Sequence, residues 1–476
     1  MHAVLATRVF DNDAQIGFAT LSGDLNPMHV DALAARRTQA GAPVVHGVHT
    51  LIWALESLAE HGMIVDLPFA LNVRFKKFVY VGDTCELVVS QKADHQLRCI
   101  VTSDGLTTTQ IDISYDAAAT QSIAREASLK PIEVGPRARE LTLNQIASDA
   151  GSLELQSVDE LAAMFPNAAR RFGASTIASL AQLSTLVGMV CPGLYSIFES
   201  IAVSLDGSGS NERLDYSVRA VDERFRLVEI AVSGAGLQGE IAAFLRQPPV
   251  AQPSLESVSE HVESQEFAGT TALIIGGSRG LGALCARILV AGGARVILSY
   301  VVGEHEARAL ADELGNDRAR VIRYDARAAA TAQFEQLPWN VDQLYYFATA
   351  QIYRASNRIF SASRFAEFSK IYVEGFEAAC TALIGHGAGN LTAFYPSTVF
   401  VHERPREMTE YAMAKAAGEA LCFDLNRFVR NLRVVAVRLP RLLTDQTATV
   451  MPLQLDDPLS TLLPVVRTMQ DSNGGD

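Results

Sequence analysis

The feature that most constrains this chain is a glycine cluster between an apolar run and a helical stretch. Ile275-Gly276-Gly277-Ser278-Arg279-Gly280-Leu281-Gly282 follows directly on Thr271 to Ile275. Without a Cβ, Gly276 can turn tightly, Gly280 lets backbone approach an anionic group, and Gly282 lets the next helix pack on the sheet. The helix N-terminus that follows offers amides to an anion. A second apolar run, Arg295 to Ser299, completes the start of a βαβ unit, and short apolar runs alternate with amphipathic stretches to about Leu439. Residues 269–476 are therefore expected to form a doubly wound α/β domain.

A chain of 476 residues exceeds one hydrophobic core and should divide into domains of about 100–200 residues. Pro- and Ser-rich residues 249–268 predict an exposed linker. Before it, an apolar helix from Val48 to His61 precedes extended runs at Phe69 to Tyr80, Thr84 to Val89 and Leu97 to Thr102. The order recurs with a helix from Ala174 to Val190 and runs at Tyr195 to Leu205, Leu214 to Val218 and Leu227 to Ser233. Two copies of one α+β module are expected, 1–125 and 126–248, with their boundary between Ile123 and Leu141.

The formal charge of −13 argues against nucleic-acid and anionic-membrane partners. Six scattered cysteines form no CxxC pair, so buried reduced thiols are expected and no metal site. His261, His305, His386 and His402 have no evident partners and are expected at the surface. The N-terminus lacks a signal-peptide pattern and no apolar run reaches membrane-spanning length, which predicts a cytoplasmic protein.

Tyr411-Ala412-Met413-Ala414-Lys415 places a phenol and an ammonium one above the other on a helix face. The spacing also describes a plain surface pair, but an ammonium beside a phenol favours the phenolate and so suits proton exchange with a carbonyl oxygen. Ser397, after the apolar run Leu391 to Tyr395, could hydrogen-bond the same oxygen. Glycine turn, serine and Tyr-x3-Lys in this order resemble the short-chain dehydrogenase/reductase family, from about Ala268 to Thr444. The resemblance implies hydride transfer between a nicotinamide and a carbonyl or alcohol, with Ser397, Tyr411 and Lys415 catalytic. It places the cofactor on Gly276, Ser278, Arg279, Gly280, Leu281, Gly282, Ser299 and Ala348, with Asp325 at the adenine. Ile297-Leu298-Ser299-Tyr300 ends without an acidic residue to bind a ribose 2′-hydroxyl, and Arg279 supplies a cation, which favours NADP(H).

Three departures from the family stand out. Phe347-Ala348-Thr349-Ala350 replaces the usual Asn-Ala-Gly, Tyr372 stands where an asparagine completes the proton relay, and the helix read at Ser460 to Met469 leaves no room for a last strand.

In the first module, Ser22-Gly23-Asp24-Leu25-Asn26-Pro27-Met28-His29 carries a carboxylate and an imidazole five apart across a helix-disfavouring Asn-Pro. A loop can bring both to bear on one water, although Asp-x4-His equally describes a capped loop with a surface histidine. Val44-Val45-His46-Gly47-Val48 then opens the apolar helix, where the Gly47 amide can meet a thioester carbonyl as an oxyanion hole. With Val73 to Thr84, these segments over about 8–115 resemble the MaoC-type, (R)-specific enoyl-thioester hydratases of the hotdog fold. The resemblance implies reversible loss of water from a (3R)-hydroxyacyl thioester, with Asp24 and His29 as acid/base dyad, Asn26 supporting their loop and Gly47 holding the carbonyl. Arg74, Lys76 and Lys77 either meet carrier phosphates or serve solubility. The middle module has no Asp-x4-His and reads as a second hotdog without a dyad.

The expected protein is a double hotdog followed by a Rossmann domain. It would reduce a 3-oxoacyl thioester with NADPH and dehydrate the product to a trans-2-enoyl thioester, as in fatty-acid or polyketide-like synthesis. The alternatives are the reverse, oxidative sequence and a dehydratase with a non-catalytic nucleotide-binding or docking domain. The expected partner is an acyl thioester of CoA or acyl carrier protein. A homodimer is compatible with this reading, and the sequence does not fix the oligomeric state.

Overall fold

The computed structural model describes residues 4–63, 67, 69–93, 95–115, 129–206, 212–234, 236–354, 357–445, 447 and 455–471. The expected module boundary at 125/126 lies outside the described residues. The chain divides between Pro248 and Pro249 into two compact units, each described by itself below.

The first unit is built on one ten-stranded sheet. Its strands are β1 (Val4–Val9), β2 (Phe69–Phe75), β3 (Thr84–Ala93), β4 (Gln96–Ser103), β5 (Leu106–Ser114), β6 (Ala150–Glu154), β7 (Ser196–Leu205), β8 (Arg213–Asp222), β9 (Leu227–Gly234) and β10 (Leu237–Leu245). Their order, β1-β3-β4-β5-β2-β7-β10-β9-β8-β6, is a palindrome of one five-strand pattern. The halves join where β2 runs antiparallel to β7, with Leu71 opposite Val203 and Val73 opposite Ile201. Each half contributes a helix lying under the sheet, Gly47–Glu60 and Ala174–Thr185. Both helices are buried over most of their length, and Leu51, Leu55, Leu180 and Leu183 share one core.

The second helix departs from the expected α-helix to Val190. It ends at Thr185, and a π turn covers Leu186–Val190, closed by the Cys191 amide on the Leu186 carbonyl at 2.7 Å. No single helix among the described residues is long and apolar enough to cross a membrane.

The second unit is a parallel sheet of β11 (Thr271–Ile275), β12 (Arg295–Tyr300), β13 (Ala319–Arg323), β14 (Gln343–Tyr346), β15 (Leu391–Thr398) and β16 (Leu432–Leu439). The order β13-β12-β11-β14-β15-β16 reverses between β11 and β14, which opens a crevice at the carboxyl ends of these strands. Central β11 is buried along its whole length, as a strand covered on both faces must be. No strand follows β16 among the described residues; the helix Pro458–Gln470 packs on the helix Gly280–Ala291 instead.

Residues 249–268 are not simply an exposed linker. Leu255–Ser259 is helical, and Val258, Val262 and Phe267 are buried in the core of the second unit. Polar neighbours masked three apolar anchors in the sequence. All six cysteines are free and buried, and His261, His305, His386 and His402 are exposed.

Candidate active sites

In the first unit, the helix Asn12–Ser22 ends at Gly23, which adopts a left-handed φ of 81°, and the chain turns into Asp24. Asn26 caps the short helix Pro27–Val30, its side chain accepting from the Met28 amide, and His29 follows on that turn. His29 Nδ1 lies 2.7 Å from the Val44 carbonyl oxygen. A carbonyl only accepts, so Nδ1 carries the hydrogen and Nε2 keeps its lone pair for a proton. Buried Gln15, unsuspected from sequence, donates to the carbonyls of both His29 and Val44 and fixes the two segments together.

Asp24 is 1% exposed, and burial raises its carboxyl above the ordinary range, against hydrogen bonds that favour its charge. One such bond comes from the Asn26 amide, and another, at 2.6 Å, from Ser184 Oγ of the middle module. The same module accepts the Asn26 side-chain amide on the Gly188 carbonyl at 2.8 Å and bonds the Ser22 carbonyl through Thr185. A Cβ on Gly188 would stand 2.3 Å from Asp24 Oδ1, so the π turn brings bare backbone up to the carboxylate. The middle module thus holds the loop that carries Asp24 and Asn26. Ser184, Thr185 and Gly188 had no signal in the sequence, because they become neighbours of Asp24 only through the pairing of the two halves.

His46 was likewise missed as a site residue. Its ring stacks on His29 at 3.9 Å, and Nε2 donates to the Asp24 carbonyl at 3.0 Å. Burial keeps its pKa well below the ordinary histidine value, hence neutral. Asp24, His29 and His46 each place one ligand atom within 4.8 Å of the others, the one such grouping suited to a metal ion found among the described residues. Gly47 is the first residue of its helix, and His46 gives no side-chain cap to the free amides there. The Phe75 ring lies 2.8 Å from where a Cβ of residue 47 would be, so only glycine fits beside it. Arg74, Lys76 and Lys77 are exposed, and Lys76 bonds Gln110.

In the second unit, Gly276 has a φ of 77°, and a Cβ on Gly282 would stand 2.3 Å from the Gly276 carbonyl oxygen. Gly282 therefore closes the turn on itself, rather than bringing helix to sheet as expected. Gly280 has nothing within 4 Å of a Cβ, and Ser278 and Leu281 are partly exposed beside it. The helix Gly280–Ala291 begins with no side-chain cap, so its first amides can take the pyrophosphate of a dinucleotide. The turn fits such a group.

Three expected cofactor contacts are otherwise engaged. Ser299 is buried, its Oγ accepting from the Gly276 amide and its carbonyl from Gly277, so it braces the turn from beneath. Arg279 pairs with Asp445 at 2.8 Å, and Asp325 accepts both prongs of the Arg327 guanidinium at 2.9 and 3.0 Å. Ala348 follows β14 and is half-buried.

Tyr411 and Lys415 share a buried face of the helix Thr409–Phe428. Ser397 is not with them. Its hydroxyl donates to Glu419, itself held by Arg438 at 2.6 Å, while Thr398 hydrogen-bonds Tyr411. Neighbours on a strand point to opposite faces, so the residue beside the tyrosine is Thr398 and the assignment of Ser397 is corrected by one position.

Lys415 Nζ donates to the Pro396 carbonyl at 2.6 Å and sits 4.0 Å above the centre of the Tyr372 ring. Burial brings its pKa down to about 7. Burial also raises Tyr411 well above its ordinary value, which favours the protonated phenol. Two of the departures from the family pattern prove to be one feature: Tyr372, in a π turn over Lys370–Glu374, shares a 2.7 Å hydrogen bond with Thr349.

Residues 5–111 match the MaoC like domain family, and residues 270–452 the short chain dehydrogenase family. The peroxisomal hydratase-dehydrogenase-epimerase of Saccharomyces cerevisiae is 33% identical over 115 residues, which is 24% of this chain and 12% of that protein. Among solved structures, a gluconate 5-dehydrogenase from Burkholderia cenocepacia in complex with NADP and tartrate is 20% identical, covering 38% of this chain and 76% of its own, with a TM-score of 0.35. A short chain dehydrogenase from Shigella flexneri complexed with NADP is 18% identical, covering 44% and 94%, with a TM-score of 0.39. The chain thus joins a MaoC-like domain at its N-terminus to a short-chain dehydrogenase domain at its C-terminus.

Proposed function

We propose that the chain is a bifunctional enzyme that reduces a 3-oxoacyl thioester with NADPH and dehydrates the resulting (3R)-hydroxyacyl thioester to the trans-2-enoyl product. The first unit is read as two hotdogs, 1–125 and 126–248, of which only the first carries a dyad. The observation that carries the reading is the opposed state of the two groups: Asp24 is buried and inclined to hold a proton, and His29 has its Nε2 lone pair fixed by the Val44 carbonyl. In dehydration, His29 Nε2 takes the C2 proton while the Gly47 amide receives the charge that grows on the thioester oxygen. Asp24 gives its proton to the departing 3-hydroxyl, water leaves, and the C2–C3 double bond forms.

In the second unit, a bound reduced dinucleotide would supply the hydride. Tyr411 then protonates the carbonyl oxygen, Thr398 orients that oxygen, and Lys415, when charged, stabilises the phenolate left behind. A phenol held protonated is matched to reduction, where it acts as acid. The oxidative order, hydration and then dehydrogenation, has in its favour the name of the yeast relative, a hydratase-dehydrogenase. The substrate would arrive on CoA or an acyl carrier protein, and the enzyme would be cytoplasmic.

The dehydratase half is tested with (3R)- and (3S)-hydroxybutyryl-CoA. Only the (3R) form should lose water, and Asp24→Asn should lower kcat by about a thousandfold. Equal turnover of both enantiomers, or an active Asp24→Asn, contradicts the assignment.

A further inference from the structure

Asp445 lies on the loop after β16 and joins three segments of the second unit through one carboxylate. Oδ2 takes the Arg279 guanidinium at 2.8 Å, and Oδ1 accepts the Val250 amide at 2.8 Å. Gln252 adds a bond to the Leu443 carbonyl at 3.2 Å, so the segment entering the unit is strapped to this loop. The Arg279 and Asp445 side chains are 22% and 11% exposed, more sheltered than an ordinary surface pair. Arg279 is also the residue that precedes the uncapped helix Gly280–Ala291, where the backbone itself favours an anion. The cation of the glycine turn is therefore already paired with an internal anion.

We propose that Asp445 is an internal surrogate for the 2′-phosphate of the dinucleotide, which displaces it from Arg279 on binding. The proposal rests on the reading of this unit as NADP(H)-dependent and adds the residue that moderates the preference. A phosphate monoester carries nearly two charges at neutral pH against one on a carboxylate, so it can take the guanidinium from Asp445. A 2′-hydroxyl cannot. The cost of breaking the Arg279–Asp445 pair thus falls on NADP(H) alone, and Asp445 moderates a preference that Arg279 creates. In this displacement the carboxylate swings away as a whole, so Oδ1 also leaves the Val250 amide and the strap loosens when the phosphorylated dinucleotide binds.

The test is calorimetric titration of the full chain with NADP+ and NAD+, in wild type, Asp445→Asn and Arg279→Met. Asp445→Asn should tighten NADP+ by about tenfold and leave NAD+ within about twofold, and Arg279→Met should abolish the preference. Unchanged NADP+ affinity in Asp445→Asn overturns the proposal, as does equal tightening of both nucleotides, which assigns Arg279 to the pyrophosphate. Hydrogen exchange in wild type reads the same event without a variant: the Val250 amide should exchange faster with NADP+ and not with NAD+, and no change with NADP+ overturns the displacement. If wild type binds neither nucleotide, the cofactor reading itself falls; if it binds NADP+ and Asp445→Asn behaves like wild type, only the role of Asp445 does.

Discussion

A shift of one residue decides which hydroxyl serves Tyr411. Thr398→Val should lower reductase kcat by about a hundredfold with little change in KM, because it removes a hydrogen bond to the reacting oxygen. Ser397→Ala, which releases Glu419 to its remaining partner Arg438, should stay within a few-fold of wild type; steady-state kinetics on a 3-oxoacyl thioester separates the two. Lys415 makes a second prediction. Burial lowers its pKa to about 7, so above that pH the folded chain has released a proton that the unfolded chain keeps up to the ordinary lysine value. Stability contributed by this site therefore rises with pH across that window. The difference in unfolding free energy of the second unit between wild type and Lys415→Met should grow from pH 7 to pH 9, and a flat difference contradicts the assigned shift. Residue types and spacing singled out Tyr411 with Lys415 and Asp24 with His29, pairs that the fold brings together. They could not show the parity of β15, and so chose Ser397, nor the competition for Arg279 and Asp325 by Asp445 and Arg327, which lie in other loops or two residues on.

At the level of elements, the π turn Leu186–Val190 is where one half of the first unit reaches the active loop of the other. Gly188 is the critical position, since a methyl there would press on the Asp24 carboxylate. Gly188→Ala should lower dehydratase kcat by at least about a hundredfold while reductase turnover is unchanged, checked by assaying both activities on one preparation. Periodicity located both buried helices and most strands because their apolar runs are long. It could not distinguish an α-helix from one ending in a wider turn, since Leu186, Val187, Met189 and Val190 are apolar in either form. Val258, Val262 and Phe267 were hidden for the converse reason: three single anchors among polar residues carry no period.

Over the whole molecule, the proposed reading gives the two units separate chemistries that follow one another on a single acyl chain, Tyr411 yielding the hydroxyl that Asp24 and His29 remove. The palindromic sheet gives the middle module a part in the first site, because Ser184, Thr185 and Gly188 complete the loop that carries Asp24. The fold class of the second unit was legible from its glycine turn and alternating runs. The dependence of the first site on the middle module was not, because it exists only once β2 and β7 pair. The most direct test of the central claim is NADPH oxidation with acetoacetyl-CoA, products followed by mass spectrometry, in wild type, Tyr411→Phe and Asp24→Asn. Wild type should consume NADPH and form crotonyl-CoA, Tyr411→Phe should lose NADPH oxidation yet still dehydrate supplied (3R)-hydroxybutyryl-CoA, and Asp24→Asn should stop at the hydroxyacyl thioester. NADPH left untouched by wild type, while the supplied hydroxyacyl thioester still loses water, would contradict the account of Tyr411 and leave the second unit without its assigned reaction.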